Sequence, residues 1–103
     1  MIKASFSRRG KDFSVEIKGH SYLAPVGEDI VCAAVSGGFE FLLAMLYKTN
    51  KNGIKALEKR KGFGKVIFSG GESEEGAYLM LYYGLMRLAE AYPERVRVNA
   101  EDI

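Results

Sequence analysis

The sequence predicts an α+β domain: a mixed β-sheet of about four to five strands packed with two α-helices, in the order β-β-α-(β-β)-α-β. Three patterns lead to that fold class. Period-two alternation of apolar and polar residues fills the first part of the chain, two longer segments place apolar residues at helical spacing, and alternation returns near the end. A chain of 103 residues has room for one core and one domain, spanning 1–103.

Ile2, Ala4 and Phe6 alternate with Lys3, Ser5 and Ser7; beyond Arg9-Gly10-Lys11, Phe13, Val15 and Ile17 alternate with Ser14, Glu16 and Lys18. Two such runs around a glycine-containing turn read as a β-hairpin. The second run ends at Gly19-His20, where the glycine permits a bend or a close approach by another segment. Residues 21–28 hold Pro25 and Gly27 and read as an irregular loop, a candidate flap. Asp29 has the chemistry of an N-cap, and residues 30–47 are apolar almost all round, interrupted by Cys32, Ser36, Gly37, Gly38 and Glu40. Such a helix is expected to be buried. Gly37 and Gly38 each weaken it by about 1 kcal/mol relative to alanine, which points to a close-packed neighbour or a kink.

Signals conflict between residues 49 and 71, because 54–59 holds good helix formers while 65–68 reads as a strand. A short hairpin turning near Lys61-Gly62 is the favoured reading. Ser73 followed by Glu74 and Glu75 reads as a capped helix start with acidic residues at the positive end of the dipole. Ala77, Leu81, Leu85 and Leu88 form its apolar stripe, and the helix stops before Pro93. Arg95-Val96-Arg97-Val98 alternates again and gives the final strand.

Composition narrows the function classes. With 48% hydrophobic and 27% charged residues the chain falls in the folded, globular regime. No run is read as reaching the roughly 18–20 apolar residues of a membrane span, and the start lacks the apolar stretch of a signal peptide. A cytoplasmic protein away from membranes is expected. One cysteine and one histidine are too few for a zinc site unless carboxylates or a second subunit contribute, so neither a metal nor a cofactor is expected. The net charge of +2 is small, yet residues 48–65 hold seven basic residues against Glu58 alone. That segment is either a solvated hairpin or the contact surface of a non-enzymatic ribosome- or RNA-associated binding module.

The lone histidine and lone cysteine lie at the two ends of one loop, His20 after a strand and Cys32 in the first turn of a helix. Cysteine attacks as its thiolate, and a free thiol of pKa about 8.5 is only slightly ionised at neutral pH. With Asp29 as cap, Cys32 occupies the third helical position, where the dipole and unpaired N–H groups favour negative charge. His20 could shuttle the proton, and the same N–H groups could hold an oxyanion. Asp29 is a candidate to orient His20 or simply to cap; Ser36 lies one turn beyond Cys32 on the same face and either enters the site or bonds back to its own helix. Tyr22, Phe39, Phe41, Tyr47, Tyr78, Tyr82 and Tyr83 could line a groove or fill the core, Tyr22 being the one on the loop. A buried structural thiol and a redox sensor without a resolving cysteine are the competing readings of Cys32.

Gly19-His20, then Gly27, then Asp29-Ile30-Val31-Cys32-Ala33-Ala34-Val35-Ser36, together resemble the signature of the ribosomal-processing cysteine protease (Prp) family. In outline the resemblance runs over nearly the whole chain. It implies a cysteine endopeptidase with Cys32 as nucleophile and His20 as general base and acid, supported by Gly19, Asp29 and Ser36, with Tyr22 and Gly27 on a mobile substrate loop. It further implies removal of a short N-terminal extension from a large-subunit ribosomal protein precursor, cut after a pair of aromatic residues, by a homodimer in contact with ribosome assembly. Gly37-Gly38 departs from the larger apolar residues common after the motif serine, and Ala24-Pro25 stiffens a loop that is expected to move.

Overall fold

The structure, a computed structural model, describes residues 1–20 and 29–101. β1 (Ile2–Arg9) and β2 (Asp12–Lys18) form the expected hairpin, with Arg9 opposite Asp12 and a two-residue turn at Gly10-Lys11. The chain continues through α1 (Ile30–Thr49), a 3₁₀ turn (Lys51–Gly53), β3 (Ile54–Arg60), β4 (Phe63–Ser69), α2 (Glu72–Ala91) and β5 (Val96–Glu101). The five strands form one mixed sheet ordered β3-β4-β2-β1-β5. Neighbours are antiparallel except β1 and β5, which are parallel. Both helices are crossovers: α1 carries the chain from β2 past β4 to the edge strand β3, and α2 carries it from β4 past β2 and β1 to β5.

The period-two pattern sends one side of each inner strand to a common core. Ala4, Phe6, Phe13, Val15, Val66 and Phe68 are buried there, under the α1 stripe Val31, Val35, Phe39, Leu42, Leu43 and Leu46 and the α2 residues Tyr78, Leu81 and Leu85. Among the described residues there are only two layers, and nothing covers the outer side of either helix. Phe41 on α1 is therefore 71% exposed and Met80 on α2 66% exposed, so the expectation of a wholly buried first helix holds for one stripe alone.

Three local expectations are corrected. By length and composition α1 is apolar enough to cross a membrane, contrary to the reading that no run approaches this; what its stripe packs on is the sheet. The N-cap of α2 is Gly71 rather than Ser73, and the buried Glu74 carboxylate reaches back to accept the Gly71 N–H at 2.8 Å. A glycine cap has no side-chain signal, so Ser73 was the more conspicuous candidate. Finally, the close approach predicted for the glycine pair belongs to Gly38, where a Cβ would stand 2.9 Å from Leu81 Cδ1, whereas among the described residues a Cβ on Gly37 meets no atom beyond its own helix within 4 Å.

Candidate active site

β2 ends where the sheet meets the start of α1, and Gly19 makes the turn. Its φ of +99° lies in the left-handed region, and a side chain there would collide with the Met1 carbonyl. The Gly19 N–H donates to the Gly62 carbonyl at 2.9 Å. His20 thus leaves the strand beside the β3–β4 turn, half-buried.

Asp29 approaches from the other side. Its Oδ1 accepts the N–H groups of Val31 and Cys32, both at 3.0 Å, while its carbonyl takes the Ala33 N–H. Only 6% of Asp29 is exposed. The carboxylate therefore caps α1 and fixes the turn that bears Cys32, and the N–H groups of Val31 and Cys32, considered above as oxyanion donors, are already engaged.

Between these two chain ends lies a cavity of about 160 Å³. His20, Cys32 and Ser36 share its wall, so the structure brings the histidine, the cysteine and the motif serine together. Its apolar surface comes from Ile2, Ile17, Val35 and Phe39. Phe39 rests on Gly64, where a Cβ would be 3.0 Å from the ring. Glu40, Lys59, Arg60 and Phe63 also line it, with Gly19, Gly62 and Gly64. Lys59 pairs with Glu40, linking the hairpin to α1, and the Arg60 guanidinium sits 4.0 Å above the Phe63 ring while also pairing with Glu58. Asp29 supports this wall through its cap. Tyr22 and Gly27, and the proposed flap at 21–28, fall outside the described residues.

Of the other aromatic candidates, Phe39 alone reaches the cavity. Tyr78 and Tyr82 pack edge-on against Phe6 at 5.6 and 5.3 Å between ring centroids. Phe41, Tyr47 and Tyr83 are exposed elsewhere. Sequence reasoning missed Phe63 and the Lys59–Arg60 pair as cavity residues. The signal lay in register: Lys18 pairs with Phe63, which sets the Lys61-Gly62 turn directly beside Gly19. Three cations of the basic segment are paired: Lys59 and Arg60 at this end and, at the opposite end of the hairpin, Lys55 with Asp12 at 2.9 Å.

A second, apolar groove of about 270 Å³ runs between the outer sides of α1 and α2, past Ala34, Phe41, Met80 and Leu88. It is larger, but among the described residues its lining holds no group able to attack or transfer a proton.

A family profile described as cysteine protease Prp matches residues 1–97. The fold is similar to that of the essential ribosomal processing protease Prp from S. aureus in complex with a covalently linked product peptide, with a TM-score of 0.84, 18% identity, and 98% of this chain and 100% of that chain covered. It is also similar to SMU.848 from Streptococcus mutans, with a TM-score of 0.73, 29% identity, and 97% and 93% covered. No curated protein matches the chain.

Proposed function

Because the chain belongs to the cysteine protease Prp family and is a cysteine protease, we propose that Cys32 is its nucleophile and His20 its proton shuttle, acting on the N-terminal extension of a large-subunit ribosomal protein precursor. The observation that supports this most is the shared cavity wall of His20, Cys32 and Ser36.

The Cys32 thiolate attacks the scissile carbonyl carbon. As the tetrahedral intermediate collapses, the C–N bond breaks and the His20 imidazolium gives its proton to the leaving amine. The extension is left as a thioester on Cys32. His20 then takes a proton from water, whose oxygen attacks the thioester; the C–S bond breaks, the extension departs as a carboxylic acid that loses its proton to solvent, and the Cys32 thiolate and His20 imidazolium are restored. A covalently linked product peptide in the S. aureus protease suits such a route. Since the Val31 and Cys32 N–H groups are held by Asp29, the oxyanion must be met by other donors. Ile17, Phe39 and Phe63 give the cavity an apolar character suited to an aromatic residue before the cut.

The enzyme works in the cytoplasm, where ribosome assembly supplies the precursor, and as a homodimer. The exposed apolar groove between α1 and α2 is the face suited to a second copy. Incubation with the precursor and with a variant lacking its aromatic pair, followed by sequencing of the new N-terminus, tests the substrate. Cleavage after the pair in the first alone is expected, while equal cleavage of both would contradict the reading.

A further inference from the structure

The sheet has two hairpins with two-residue turns, and each turn contains a glycine with positive φ. Gly10 in the β1–β2 turn has φ +61° and Gly62 in the β3–β4 turn has φ +73°. The left-handed region disfavours a side chain at both positions. Their surroundings differ. Among the described residues a Cβ at Gly10 meets no atom within 4 Å, whereas one at Gly62 would stand 2.8 Å from His20 Nε2 and 3.3 Å from its Cε1.

The bare Cα of Gly62 therefore forms the surface against which the edge of the imidazole rests. The backbone on both sides is tied: Gly62 accepts the Gly19 N–H at 2.9 Å, and Gly19 is itself pressed against the Met1 carbonyl. A side chain at 62 would press first on the imidazole at the end of the His20 side chain. We propose that Gly62 is a positioning residue for the general base, its missing side chain setting the direction in which His20 faces the cavity shared with Cys32. This rests on the reading of His20 as proton shuttle.

The two turns supply the test and its control. Gly62→Ala and Gly10→Ala impose a similar backbone penalty, yet only the first pushes on the ring. Tag-free protein contains one histidine, so its imidazole gives a single Cε1–Hε1 NMR signal that reports ring position directly. Gly62→Ala should move that signal and lower kcat for precursor cleavage by about 10- to 100-fold with KM nearly unchanged, the size expected for a catalytic group displaced by about 1 Å. Gly10→Ala should leave the signal in place and kcat within about twofold of wild type. If Gly62→Ala does not fold, Gly62→Asn bears the same Cβ while tolerating the left-handed backbone better, and the same readings apply. A Gly62 variant with wild-type kcat and an unmoved His20 signal overturns the proposal. If wild type itself leaves the precursor uncut, the proteolytic reading fails separately, and the NMR comparison decides positioning alone: a shift confined to the Gly62 variant supports it, and no shift overturns it.

Discussion

Asp29 takes two backbone N–H groups on a single carboxylate oxygen while almost wholly buried, which makes it the residue most responsible for holding Cys32 in place. Asp29→Ala should lower stability by about 1–2 kcal/mol, as loss of an N-cap does, and reduce cleavage beyond that; thermal melts beside initial rates would read both. Tyr78 presents the opposite case. It is fully buried in the aromatic cluster, and among the described residues its hydroxyl has no hydrogen-bond partner. Burial raises its pKa above the ordinary tyrosine value, with nearby Arg8 acting in the other direction. The folded chain thus holds this proton more tightly than the unfolded chain, so stability is untouched below about pH 10 and falls as pH rises above it. Tyr78→Phe should gain about 1 kcal/mol at neutral pH and flatten the alkaline decline, measured by denaturant melts from pH 7 to 11. Asp29 was legible in the sequence because capping is local chemistry. The isolation of the Tyr78 hydroxyl was not, because it depends on neighbours distant in sequence.

At the scale of elements, the two glycines inside α1 are not equivalent. Among the described residues nothing outside its own helix lies within 4 Å of a Cβ at Gly37, so Gly37→Ala should stabilise the helix by about 0.5–1 kcal/mol. At Gly38 the Leu81 side chain is already within reach of a Cβ, and Gly38→Val should cost about 1–3 kcal/mol by overpacking the contact between the helices. Paired melting curves distinguish them. The strands were readable from alternation because one side of the sheet is buried and the other is not. The start of α2 was misread by two residues, since Gly71 offers no side chain and the informative group is Glu74, three positions on. Burial of α1 was overestimated because sequence shows how apolar a helix is, not how many layers will cover it.

The whole molecule assembles its site from positions that only topology brings together. Lys18 opposite Phe63 places a turn from the far half of the chain beside Gly19, and dependence on this long-range pairing explains why Gly62, Phe63 and Arg60 could not be read from sequence as lining one cavity with His20 and Cys32. The proposed pairing of two copies belongs to this scale too. Phe41→Glu with Met80→Glu places charge on the exposed apolar groove and should convert a dimer to a monomer in sedimentation velocity, with little change in melting temperature at low protein concentration. The central claim concerns Cys32, and the most direct measurement is the rate of precursor cleavage by Cys32→Ala beside wild type. The rate should fall by more than about 10³-fold while the circular dichroism spectrum stays unchanged. Cleavage persisting at a wild-type rate would contradict Cys32 as the nucleophile.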